Sequence, residues 1–171
     1  LGDVYKRQDL DTTVLSADLS VSGTGSIVLD ELNAITLSDL DTTDGSITVD
    51  AAGDVVSTDV DASDAIAITA SSGDITLGGL TAGGVLGITA STGSINDASD
   101  DATTDLTAGG LITLTAQDEV GGIPSATTTD TAGSIELAAG STLNASSTTA
   151  GNLVLAGLGA LTLEDLSLIH I

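Results

Sequence analysis

Ile66-Ala67-Ile68-Thr69-Ala70-Ser71-Ser72-Gly73-Asp74-Ile75-Thr76 is followed twenty residues later by Leu86-Gly87-Ile88-Thr89-Ala90-Ser91-Thr92-Gly93-Ser94-Ile95-Asn96. Each stretch holds two short runs of the form apolar-x-apolar or apolar-polar, parted by a Ser/Thr-Gly-Asp/Ser corner. Alternate side chains of a strand point to opposite faces, so Ile66 and Ile68 turn one way and Ala67 the other. A period near twenty residues is too short for an independent domain. It suits a unit that buries its apolar face only against its neighbours.

The period extends in both directions. Ile27, Ile47, Ile66, Leu86, Ile112, Ile135 and Leu153 open one series of short strands, with gaps of 20, 19, 20, 26, 23 and 18. A second series, Ile35, Val55, Ile75, Ile95, Val120, Leu143 and Leu161, keeps step with it. A weaker third, Leu19, Leu40, Val60, Leu80 and Leu106, lies just before the first. Three short strands per unit, repeated about seven times, predict an all-β right-handed parallel β-helix, a solenoid with rungs of about twenty residues. Gly and Asp at the corners, as in Asp44-Gly45-Ser46 and Ala132-Gly133-Ser134, fit the turns such a chain makes. The longer gaps and the single Pro124 place a loop excursion near 115–130.

Composition narrows the chemistry. The 171 residues carry 25 Asp+Glu against two Lys+Arg, a net charge of −23, with no Cys, Met, Trp or Phe. Nucleic-acid binding requires cations to neutralise phosphates, so it is not expected. Disulfides and thiolate sites are excluded, and no apolar run reaches the length of a membrane helix.

The rare residues sit at the ends. Asp3-Val4-Tyr5-Lys6-Arg7-Gln8 can be encoded by the DNA word GATGTGTATAAGAGACAG, and its reverse complement encodes Leu166-Ser167-Leu168-Ile169-His170-Ile171. That word resembles the transposase end sequence used in preparing sequencing libraries. Residues 1–8 and 166–171 are therefore expected to be adapter-derived, and 9–165 to be the β-helix segment. On this reading Lys6, Arg7 and His170 have no role, and 9–165 contains no basic group, no His and no aromatic ring.

Gly45-Ser-Ile-Thr-Val-Asp-Ala-Ala-Gly-Asp-Val-Val and the run from Gly73 to Asn96 resemble the passenger repeats of filamentous-haemagglutinin-like and autotransporter-type bacterial surface adhesins. The resemblance implies a right-handed β-helix shaft, export to the cell surface, and a role in adhesion or biofilm. Contact with a host cell or matrix would then be made by other parts of the parent protein. No insertion of this segment into a membrane is expected, and end-to-end self-association through unpaired terminal strands is.

One candidate site emerges from the spacing. Asp39, Asp41 and Asp44 recur twenty residues later as Asp59, Asp61 and Asp64, so a β-helix would stack the two sets one rung apart. Oxygen-rich clusters suit Ca²⁺, which makes these six residues candidate ligands; solvated turn residues are the alternative. No other cofactor is expected. Catalysis is not expected either, because no basic or aromatic group is present to hold a sugar and no His to activate a nucleophile. The resulting expectation is a non-catalytic structural shaft. Its alternatives are a non-catalytic part of a carbohydrate-active β-helix enzyme, or a Ca²⁺-stiffened extracellular module.

Overall fold

A computed structural model describes residues 8–99, 103–122, 133–149 and 151–168. These form eighteen β-strands and no helix. Every strand pair is parallel, and the chain winds as stacked coils, a β-solenoid. Each complete coil contributes three strand segments, so the stack has three walls.

The first wall is an eight-stranded sheet of β1 (Gln8–Thr12), β3 (Ile27–Glu31), β5 (Ile47–Ala51), β8 (Ile66–Ala70), β11 (Leu86–Ala90), β14 (Leu111–Ala116), β16 (Thr142–Ser147) and β18 (Thr162–Leu168). The long strand β4 (Ile35–Asp44) belongs to both other walls. Its first half starts the second wall, β6 (Val55–Ser57), β9 (Ile75–Leu77) and β12 (Ile95–Asp97), which Val120 and Leu153 continue through single bridges. Its second half joins the third wall. That wall consists of β2 (Ser16–Thr24), β7 (Asp59–Ala62), β10 (Gly79–Ala82), β13 (Leu106–Ala108), β15 (Ile135–Leu137) and β17 (Leu155–Gly157).

Register explains the core. On the first wall Ile47, Ile66, Leu86 and Ile112 stack in one column, and Val49, Ile68, Ile88 and Leu114 in the next. A third column is Ala51, Ala70, Ala90 and Ala116, small because the chain turns there toward the second wall. These residues are buried together with Ile35, Val55, Ile75 and Ile95 from the second wall and Leu40, Val60, Leu80 and Leu106 from the third. Each large side chain so covered contributes roughly 1.5–3 kcal/mol. Seven steps of about 4.8 Å carry the first wall about 34 Å along the stack.

The structure corrects the register read from sequence in the last two coils. Ile112 stacks on Leu143, not on Ile135, and Leu143 on Leu163. Ile135 belongs to the third wall, where its strand meets Leu106 through Leu137, and Leu153 belongs to the second. The spacings of 23 residues arise by coincidence. The true step on the first wall is 31 residues, because the chain between Gly122 and Gly133 adds length within that coil.

Both lengthened coils add their residues at one corner, between the second and third walls. In the coils below, single residues, Thr58 and Gly78, part those walls. In the next coil Asp97 ends β12 and Leu106 opens β13. One coil further, Gly121 and Gly133 adopt left-handed φ of 84° and 80°, and the Gly122 N–H donates to the Gly133 carbonyl, closing the neck. Residues 115–122 remain in the stack through β14 and Val120; of the excursion expected near 115–130, residues 123–130 lie outside the described residues. At the C-terminal side, β18 runs through the 165/166 boundary, with a register shift near Leu143.

Candidate acidic sites

A column of acidic side chains follows the start of the third wall. Asp18 pairs with Asp39, Asp59 with Gly79, and Glu136 with Ala156. The alignments Leu40 on Val60, Leu80 on Leu106 and Leu106 on Leu137 put Asp39 beside Asp59, Gly79 beside Asp105, and Asp105 beside Glu136. The column is therefore Asp18, Asp39, Asp59, Gly79, Asp105, Glu136, Ala156. Its two ends meet different surroundings.

At the lower end the carboxylates face solvent. Asp41 stacks directly on Asp61, and both line a shallow open hollow with Ser20, Thr42, Thr43, Ala62, Ser63 and Thr81. The Asp41 carboxylate raises the pKa of Asp39, with burial, Asp18, Asp59 and Asp61 adding. Asp59 is raised by burial first and then by Asp61 and Asp41. Like charges one strand apart repel, and no basic residue lies among the described residues to relieve them.

Four of the six candidate Ca²⁺ residues, Asp39, Asp41, Asp59 and Asp61, are thus brought to one face. Asp44 and Asp64 are not stacked. Asp44 accepts a hydrogen bond from Thr24 Oγ1, whereas Asp64 donates its N–H to the Gly45 carbonyl and accepts from Ser46 Oγ. The step from Ile47 to Ile66 is one residue short of twenty, and it shifts Asp64 forward by that one position.

At the upper end three carboxylates come together that the spacing did not single out. Oxygens of Asp97, Asp105 and Glu136 lie within 4.8 Å of one another. Asp97 sits in register with the buried Leu77 of the coil below. Asp105 is 4% exposed and Glu136 1%. Backbone pairing locks the last two across adjacent coils. Leu80 N–H donates to the Asp105 carbonyl (2.7 Å), Asp105 N–H to the Glu136 carbonyl (3.0 Å), and Glu136 N–H to Asp105 Oδ2 (2.8 Å). Ser134 Oγ donates to Glu136 Oε1. Burial pushes the Asp105 carboxyl up to about 7, reinforced by Asp97 and by the side-chain hydrogen bond and charge of Glu136; the Glu136 amide opposes the shift.

Of the six carboxylate oxygens here, Asp105 Oδ2 already accepts from a backbone N–H and Glu136 Oε1 from the Ser134 hydroxyl, which leaves four free of these two donors. Asp105 could have been found from sequence, since it precedes Leu106 as Asp39 precedes Leu40 and Asp59 precedes Val60. Glu136 could not, because the shifted register placed Ile135 on the wrong wall.

No protein-family profile, no curated protein and no solved structure matches this chain. Among the described residues no helix is long and apolar enough to cross a membrane.

Proposed function

We infer that the chain is a structural shaft segment of a surface-exposed bacterial adhesin. The parallel ladder supports this reading most directly: one wall of eight strands runs without a break past both lengthened coils. A continuous ladder of this kind resists bending and transmits tension along its axis, which is what a spacer requires. The acidic outer face keeps neighbouring shafts from packing side by side. The repeats from Gly45 and Gly73 support the adhesin assignment through their resemblance to adhesin passenger repeats, and that resemblance is also what supports a position outside the cell.

The reading assigns this segment no ligand and no catalysis of its own. The test incubates the purified chain with extracellular-matrix proteins, cultured cells and a panel of polysaccharides. No saturable binding and no release of reducing ends are expected. Turnover of any polysaccharide, or saturable binding to a matrix protein, overturns the proposal.

A further inference from the structure

Two carboxyl groups are buried against each other between consecutive coils, in a chain with no basic side chain among its described residues. Asp105 and Glu136 occupy neighbouring positions of the acidic column, held in register by the Asp105 N–H donating to the Glu136 carbonyl and the Glu136 N–H donating to the Asp105 carboxylate. Asp18, Asp39 and Asp59 of that column face water, which weakens their mutual repulsion; Asp105 and Glu136 are buried. Burying two negative charges side by side is costly unless one is neutralised. The groups facing them are few. Asp97 on β12 adds a third carboxylate, while β10, β13 and β17 contribute no titratable or charged side chain. Ser134 and the Glu136 amide are donors, but neither carries charge.

We propose that Asp105 and Glu136 share one proton across the two coils and so form a pH-sensitive clasp at the corner where the two lengthened coils meet. With the proton in place, the Asp105 carboxyl group donates to the Glu136 carboxylate and the coils are pinned together. When the proton leaves to solvent, two adjacent buried charges remain and the corner loosens. The raised pKa of Asp105 agrees with this arrangement.

The sign follows from linkage. Asp105 is raised in the folded chain to about 7 from an ordinary 3.8, so the folded state holds a proton that the unfolded chain releases. Stability therefore declines as pH rises between those values and levels off above the higher one.

Two measurements on the full chain test the clasp. In the first, the carbon-13 resonance of the Asp105 carboxyl is followed against pH; a midpoint near 7 is expected, moving down in Glu136→Gln. A wild-type midpoint in the ordinary carboxylate range overturns the proposal, and so does a midpoint unmoved by Glu136→Gln. The second follows thermal melting between about pH 6 and pH 8. The wild type is expected to lose stability across that window and Asp105→Asn to lose none. An equal loss in both chains overturns the clasp. Should Asp105→Asn fail to fold, the wild-type titration still decides.

Discussion

Leu114 lies directly on Ile88, although twenty-six residues separate them, just as Ile88 lies on Ile68 at a distance of twenty. All three are buried, and the column does not register the added length. The solenoid lattice is set by wall positions, not by a fixed count of residues per coil.

Truncating that column should be expensive. Ile88→Ala removes a side chain covered on every side by its own wall and the two opposite it, and is expected to cost about 2–5 kcal/mol. Thr89→Ala, on the outward face of the same strand, should stay within about 0.5 kcal/mol. Urea denaturation of the two variants checks the contrast.

Glycines divide in the same way. A methyl group at Gly83 would run into the Ser63 carbonyl of the coil below, and at Gly109 into the Gly83 carbonyl. At Gly87 it meets nothing within 4 Å. Gly83→Ala should therefore lower the melting temperature by several degrees, while Gly87→Ala should leave it level or raise it, since Ala loses less chain entropy than Gly on folding. Differential scanning calorimetry separates the outcomes.

Charge at the lower end of the acidic column works against folding. Asp39 and Asp59 have raised pKa values, so the folded chain binds protons more tightly there than the unfolded chain does. Stability should thus decrease as pH rises from the ordinary carboxylate range to the raised pKa values of these two groups, and level off beyond them. Asp61→Asn should raise the melting temperature at pH 7 in about 20 mM salt, and the gain should shrink in about 0.5 M salt as screening shortens the reach of the charges. An Asp61→Asn chain no more stable than wild type at low salt would contradict this account.

The first lengthened coil should be reducible. Removing residues 98–103 joins Asp97 to Thr104 and restores the twenty-residue step, with Thr104 where the coil below has Gly78 and Asp105 where it has Gly79. Because the wall strands are untouched, the shortened chain is expected to melt in one transition and keep its β-sheet circular dichroism. Loss of that spectrum would show the added residues to be required for the stack.

Most of the fold was legible because strand alternation and the twenty-residue step reinforce each other from Leu19 to Ile95, and the series stay in step through the first lengthened coil to Val120. Ile47, Ile66 and Leu86 fall where the spacing puts them. Legibility failed after Val120. There the chain between Gly122 and Gly133 lengthens one coil, and the spacing settled on Ile135 as the nearest apolar pair instead of Leu143. That single slip also hid Glu136, whose partner lies thirty-one residues away in sequence. The solvent-facing aspartates were legible for the opposite reason: Asp39 and Asp41 lie twenty residues before Asp59 and Asp61, ahead of the point where that coil is shortened. Asp64 was displaced by a one-residue shortening that shows in the hydrophobic pattern as the step of 19 from Ile47 to Ile66, and the matching twenty-residue spacing of the aspartates masked it.

The neck formed by Gly121, Gly122 and Gly133 gives the solenoid a sideways port. Closing a longer loop costs only about 0.6 kcal/mol per doubling of its length. Segments of quite different size can therefore leave the rod at this corner while the rungs above and below stay in alignment. The rod is in that sense a mast with a fixed bracket, and what hangs from the bracket can change without the mast being rebuilt.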